Sequence, residues 1–255
     1  MKSEQSAGKR RGRRLVLSVL AAVLLLCAVI VGMCLFNSRP AVQSLDAYRT
    51  AFPEAVITLG QDGGAELLPR SEAAKPVGLI LYVGAQITPD AYIPLLAPLA
   101  EAGYPCYIPK LRCNMASLEP DAAGEIMAAH PETERWVLLG HSMGGLTASG
   151  YAAEHADQVA GLVFLAAYTN RELQSGALPM LSLYGDEDGV LNTELYEKRR
   201  EWNSPDFEEH VIPGGNHAQF GDYGEQPRDS AAKITAEAQR AETAAYILDW
   251  LDRLG

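Results

Sequence analysis

Three side chains that together can transfer an acyl group occur here in a suggestive order. Ser142 lies in Gly140-His141-Ser142-Met143-Gly144, a G-x-S-x-G run. Downstream stand Asp186, Glu187 and Asp188 in "LYGDEDGV", then His217 in "IPGGNHAQFG". A serine hydroxyl is a weak nucleophile until a base takes its proton, and an imidazole serves as that base best when a carboxylate fixes its tautomer. Ser, then Asp or Glu, then His is one chain order in which such a trio is built. The chemistry it could perform is attack on a carbonyl, formation of an acyl-enzyme, and release of the acyl group to water.

Each member has a blander alternative. Glycines beside a serine also serve to let a helix pack closely on a strand. Here an apolar strand pattern precedes Ser142 and a small-residue helix pattern follows it, so the packing itself would expose the hydroxyl. Asp188, three residues past Gly185, is far enough into its loop to reach an imidazole from the side. Asp186 follows its strand directly and suits bonding to backbone N–H groups. Asp188 is therefore the expected acid and Asp186 the alternative. His217 sits in a Gly-rich loop, where chemistry is more often placed than packing. His141 should point away from Ser142 and shape the turn, whereas His130, His155 and His210 fall near helix ends or inside a strand. An oxyanion needs two N–H donors. Met143 should supply one, and the loop "VGAQITPD" the other, from Ala85 or alternatively Gln86. Asn114, Asn216, Gln219, Asp222, Tyr223 and Gln226 form a polar set that would either line a substrate pocket or brace the histidine loop.

The elements that must position these residues alternate. Val77–Gly84 is a continuous apolar run of the kind buried on both faces of a sheet. Asp90–Gly103 has helical spacing, with Asp90 a candidate cap and Gly103 a candidate stop. "YPCYIP" reads as a strand, 119–130 as a helix, "RWVLLG" as a strand and "SMGGLTASGYAAEHA" as a helix. "VAGLVFLAA" and "LPMLSLYG" are further strands, followed by the helix "TELYEKRREW", the strand "FEEHVIP" and an Ala-rich helical ending from Asp229. Upstream, "AVITLG" and "AELLP" flank a "DGG" turn. Such alternation implies an α/β fold: a mostly parallel sheet with helices on both faces, in three layers. Only about eleven residues join "VAGLVFLAA" to "LPMLSLYG", so any lid there is minimal.

The chain has 255 residues, with 21 basic and 32 acidic side chains. The first 14 residues hold six of the basic ones and one acid, which leaves 15 against 31, a net of −16, for the rest. An acidic body argues against nucleic acid as a partner. Leu15–Phe36 is uncharged and about long enough, at roughly 20 residues per bilayer, to span a membrane. The basic cluster before it predicts a cytoplasmic N-terminus and a catalytic body on the far side. The expected organisation is a basic tail (1–14), a transmembrane signal anchor (15–36), a linker (37–50) and one domain (51–255). In an oxidising compartment Cys106 and Cys113 could pair, but two separate small hydrophobes are the simpler expectation. No metal-ligand spacing, phosphate loop or dinucleotide fingerprint is present, so no cofactor is expected.

With the G-x-S-x-G elbow and the Ser142, Asp188, His217 order, the chain resembles the α/β-hydrolases over about residues 55–255. "YIPKLRCNMA" and "GGNHAQFGDYGEQ" are further similar to a group of bacterial α/β-hydrolases, mostly uncharacterised and often N-terminally anchored, with P-K-x-x-x-N-x-A and N-H-A-Q-F-G-D-Y-G-x-Q runs. Those relatives usually carry P-G-G in the oxyanion loop where this chain has Val83-Gly84-Ala85. The resemblance implies a serine hydrolase acting on a carboxylic ester, or on a thioester or amide. The alternatives are acyl transfer to another acceptor with the same residues, and a binding module that keeps the fold without the reaction.

Overall fold

The computed structural model describes residues 16–29, 31–32, 38–61, 63–70 and 74–254. The chain divides into two units, Met1–Ser38 and Arg39–Gly255. In the first, residues 16–29 are helical and their Val and Leu side chains are exposed. Among the described residues no helix is long and apolar enough to cross a membrane. Residues 15, 30 and 33–36 of the expected Leu15–Phe36 span, and the basic tail before it, lie outside the described residues.

The second unit is built on one eight-stranded sheet in the order β1-β2-β4-β3-β5-β6-β7-β8. The strands are β1 (Ala55–Leu59), β2 (Ala65–Pro69), β3 (Val77–Tyr82), β4 (Cys106–Ile108), β5 (Arg135–His141), β6 (Val159–Leu165), β7 (Met180–Gly185) and β8 (Phe207–Ile212). β1 pairs antiparallel with β2, and β2 antiparallel with β4; every later pairing is parallel. The apolar runs explain the order. β3 is buried along its whole length and β5 along all but its first residue, as central strands covered on both faces must be. β1 alternates buried and exposed residues at its start, and it stands at the edge.

Among the described residues of this unit the α-helices are α1 (Leu45–Ala51), α2 (Ile93–Glu101), α3 (Ala122–Ala129), α4 (Met143–Glu154), α5 (Thr193–Arg199) and α6 (Ala236–Arg253). α2 packs against α6, while α4 packs over β3, β5 and β6. Helix starts are set by local chemistry. Ser44, Asn192 and Thr235 each accept a bond from the N–H three residues on, opening α1, α5 and α6.

Several expected boundaries move. The Ala-rich ending is helical only from Ala236, because Thr235 caps it there, so residues 229–235 stay outside. Asp90 does not cap α2; a 3-10 turn, Pro89–Tyr92, comes first. The stretch read as a linker, 37–50, contains most of α1, and the compact unit already begins at Arg39. Tyr48 of α1 is fully buried and its hydroxyl bonds Asp222, 2.5 Å away. Cys106 is a free, buried thiol and Cys113 is disulfide-bonded, so the two do not pair and Cys113 is not an isolated hydrophobe.

Candidate active site

Ser142 occupies the turn between β5 and α4 with φ 53° and ψ −118°. A side chain there costs about 1–3 kcal/mol unless its surroundings enforce it. They do. A Cβ on Gly144 would lie 2.0 Å from the Tyr82 carbonyl oxygen of β3, and one on Gly140 would lie 2.4 Å from the Cα of Gly145. Only glycine lets α4 start this close to β3 and β5, and the close start forces the sharp turn. The Ser142 N–H is held by the Leu165 carbonyl at 2.9 Å. Met143, the first residue of α4, has no acceptor within its helix for its N–H.

β7 and β8 bring the other two residues together. A Cβ on Gly185 would meet the Gly215 carbonyl at 2.0 Å, so the ends of the two strands approach as backbone against backbone. The loops that leave them are then within side-chain reach. Asp188 Oδ2 lies 2.8 Å from His217 Nδ1, and both side chains are only 2% exposed. Asp188 Oδ1 accepts the N–H groups of Val190 (2.8 Å) and Leu191 (2.7 Å). A carboxylate with both oxygens so engaged is a fixed acceptor, so His217 Nδ1 carries the proton and Nε2 keeps its lone pair. Nε2 is buried without a hydrogen-bond partner. Ser142 and His217 line one cavity of about 230 Å³ with Met143, Leu146, Ala167 and Leu191. Asp186 is turned elsewhere: its Oδ1 accepts the Gly214 N–H at 2.5 Å.

The loop after β3 folds as a turn in which the Ile87 N–H reaches the Gly84 carbonyl. The Gln86 N–H is already given to the Asn114 carbonyl at 2.8 Å, which removes it from use as an oxyanion donor. The Ala85 N–H has no acceptor among the described residues. Positive φ in this loop falls on Gln86, at 59°, and not on Ala85, so alanine in place of glycine imposes no strain there.

Of the remaining polar set, Asn216 and Gln219 bond within and beside the histidine loop. None of Gln86, Asn114, Asn216, Gln219, Asp222 and Tyr223 lines the Ser142 cavity. Asn216 is gripped by the side chain of Gln239 through both its N–H and its carbonyl, and its own side chain accepts the Gln219 N–H. Gln219 donates to the Ile234 carbonyl. Asp222 accepts from Tyr48 and sits 3.8 Å from the buried Arg240 guanidinium. Tyr223 is buried and bonds Gln226.

One residue with a large role was not anticipated. Asp229 Oδ1 accepts the N–H groups of Gly189 (3.1 Å), His217 (3.3 Å) and Ser230 (3.0 Å), and Oδ2 accepts that of Ala218 (2.8 Å). It clamps the acid loop to the histidine loop. The sequence signal was weak: an aspartate in a proline-containing loop, a type that commonly collects backbone N–H groups.

The family model for the alpha/beta hydrolase family matches residues 78–241. Among solved structures, a membrane phospholipase A described as a bacterial virulence factor is 18% identical, covering 93% of this chain and 98% of its own, with a TM-score of 0.58. A CIB-like hydrolase from Thermoplasma acidophilum is 15% identical, covering 76% of this chain and 99% of its own, at 0.54. Naproxen esterase from Bacillus subtilis is 13% identical, covering 81% and 95%, at 0.53. At such identities the likeness carries the fold alone. No curated protein matches the chain. With the family model spanning well over half of its residues and the parallel sheet and elbow in place, the chain belongs to the alpha/beta hydrolase family.

Proposed function

We propose that the protein is a serine hydrolase that cleaves a carboxylic ester through Ser142, His217 and Asp188. The carrying observation is the buried 2.8 Å contact between Asp188 and His217, which leaves Nε2 without a hydrogen-bond partner in a residue that lines the same cavity as Ser142. His217 Nε2 takes the Ser142 proton as Oγ attacks the carbonyl carbon. Asp188 holds the imidazole and stabilises the imidazolium that forms. The N–H groups of Ala85 and Met143 bind the oxyanion. The imidazolium then protonates the leaving alkoxide. Water, deprotonated by the same nitrogen, releases the acid and frees Ser142.

The cavity is small against the roughly 300–1,000 Å³ usual for ligand sites, and Leu146, Ala166, Ala167, Val190 and Leu191 make it mostly apolar. A short acyl group suits it. The names of the structural neighbours, an esterase among them, support this reading without setting the substrate. The test is labelling with a serine-reactive phosphonate, comparing the protein with Ser142→Ala. An adduct that depends on Ser142 supports the proposal; folded protein without one removes it.

For the N-terminus we propose a single-pass anchor with residues 1–14 cytoplasmic. The uncharged Leu15–Phe36 run and the six Lys/Arg before it support that orientation. A C-terminal reporter that works only in the cytoplasm should stay silent in cells, and a signal from it would reverse the topology.

A further inference from the structure

His141, the residue before Ser142, is fully buried and engaged at both ring nitrogens. Its Nε2 lies 3.1 Å from the carbonyl oxygen of His217, an acceptor only, so Nε2 carries the proton. Nδ1 is therefore an acceptor, and the Tyr92 hydroxyl 2.7 Å away must donate to it. The same Tyr92 oxygen then accepts the Gly84 N–H at 2.9 Å. Every donor in this chain has one acceptor, and no alternative direction satisfies both ends.

The chain joins the two halves of the proposed machinery. At one end is the backbone of His217, whose imidazole is the base. At the other is Gly84, whose carbonyl carbon is bonded to the Ala85 nitrogen that supplies an oxyanion donor. Three groups are already turned by other bonds: Gln86 to Asn114, Ala218 to Asp229, and His217 to Asp188. Ala85 and the His217 carbonyl are held relative to each other through Tyr92 and His141. The rings also pack at a tilt, with centroids 4.8 Å apart for His141 and His217, and 5.8 Å for Tyr92 and His141. Burial first, and then the charge of His217, holds the His141 pKa well below the usual histidine range. His141 thus stays neutral and does not repel the imidazolium that forms beside it.

We propose that Tyr92 is a positioning residue for the reaction: acting through His141, its hydroxyl sets the Ala85 N–H against the His217 imidazole in the geometry of the tetrahedral intermediate. This rests on the Ser142 hydrolase reading.

The experiment compares Tyr92→Phe, which deletes one oxygen and keeps the ring, with the unaltered protein on a short-chain p-nitrophenyl ester. An alkyl boronic acid, which forms a tetrahedral adduct with a serine oxygen, is the second probe. We expect kcat to fall about tenfold to a hundredfold, KM to stay within about threefold, and boronate affinity to weaken by about the factor lost from kcat. A merely structural role would lower the fraction of active protein, leaving the boronate affinity of the remainder unchanged. The double variant with His141→Gln should lose little more than the worse single variant, because both cut one chain. Unchanged boronate affinity, kcat within twofold, or full additivity with His141→Gln overturns the proposal. Should Tyr92→Phe not fold, His141→Gln alone is read by the same boronate criterion. If the unaltered protein forms no Ser142-dependent phosphonate adduct, the hydrolase reading fails and takes this inference with it. If that adduct forms and boronate affinity is unmoved, only this inference fails.

Discussion

Replacing Asp188 by asparagine tests the acid assignment with almost no change in shape. The amide has one oxygen and one NH2 where the carboxylate had two acceptors. Oδ1 receives two backbone N–H groups, from Val190 and Leu191, and Oδ2 receives one imidazole N–H. If the amide oxygen turns to His217, the NH2 faces two half-buried N–H donors, and each then loses its acceptor at up to about 1–3 kcal/mol. If the oxygen stays on the backbone pair, the NH2 faces His217 Nδ1, which must become an acceptor. A neutral imidazole meets that demand by moving its proton to Nε2. The second arrangement wins because it sacrifices neither backbone bond. It also places the proton on the nitrogen that should receive one from Ser142.

The expected result is a fall in kcat of about 10⁴, as wrong-tautomer variants of such triads show, or about 5.4 kcal/mol of lost transition-state stabilisation. KM should change little. Asp186→Asn is the control, because its Oδ1 can still accept the Gly214 N–H; it should leave kcat within about threefold. The assay is steady-state hydrolysis of a p-nitrophenyl ester, with circular dichroism to confirm that both variants are folded. Refutation is plain: Asp188→Asn keeping more than a tenth of the activity, or Asp186→Asn alone abolishing it.

Three more expectations concern the frame. Gly144→Ala places a Cβ 2.0 Å from the Tyr82 carbonyl, a backbone atom of a central strand that cannot move aside. It should cost at least 3 kcal/mol, on the order of a severe core clash, measured as loss of folded protein or a lower thermal midpoint. Asp229→Asn exchanges one of two acceptor oxygens for an NH2 among four backbone donors; we expect about 1–3 kcal/mol of destabilisation by denaturant melt and a fall in kcat of about tenfold. The third concerns pH. His141 is buried neutral with a depressed pKa and faces Tyr92, His217, Phe220 and Tyr223. Below about pH 6.5 its unfolded form binds a proton that the folded form refuses, so stability falls as pH falls, by up to about 1.4 kcal/mol per unit. Thermal melts between pH 7 and pH 5 should show the slope, and His141→Gln should flatten it.

What the sequence disclosed was local. The apolar runs of β3, β5, β6 and β7 announce buried strands. The glycines at 140 and 144 announce a tight turn because no other residue fits the contact they make. His217 stands out as a candidate base by its Gly-rich loop, and Asp188 as a candidate acid by its distance past Gly185; the structure brings the two within 2.8 Å. What stayed hidden depends on partners far along the chain. α1 buries a single residue, Tyr48, and docks on Asp222, 174 positions away. Seven residues with one buried side chain carry no periodic signal, so the stretch read as a linker. The polar set was readable as residues but not as a role, since pocket wall and brace call for the same side chains. Only its distribution around Gln239, Arg240 and Ile234 of the α6 region separates the two.

The backbone adds an independent line of support for where the chemistry lies. Among the described residues, six other than glycine have positive φ: Gln86, Cys113, Asn114, Ser142, Ala166 and Arg228. Each left-handed residue with a side chain costs about 1–2 kcal/mol, and a chain under no functional constraint would scatter them or replace them by glycine. Here two of the six, Ser142 and Ala166, line the candidate cavity, and the others lie in the loops of Ala85, Asn114 and Asp229. Gln86 neighbours Ala85, and Asn114 holds the Gln86 N–H. Ala166 lines the Ser142 cavity. Arg228 immediately precedes Asp229, which grips the His217 backbone. Nothing in the identities of Gln, Cys, Ala or Arg marks such positions in a sequence, because the strain is imposed by neighbours rather than preferred by the residue. Relieving it should therefore separate stability from activity. Ala166→Gly removes the Cβ penalty at φ 49° and should offset part of the strain, by about 1 kcal/mol less glycine's entropy cost. It should also loosen the floor of the cavity and lower kcat. A variant equal in activity and more stable would mean that the strain at this position serves the fold and not the site.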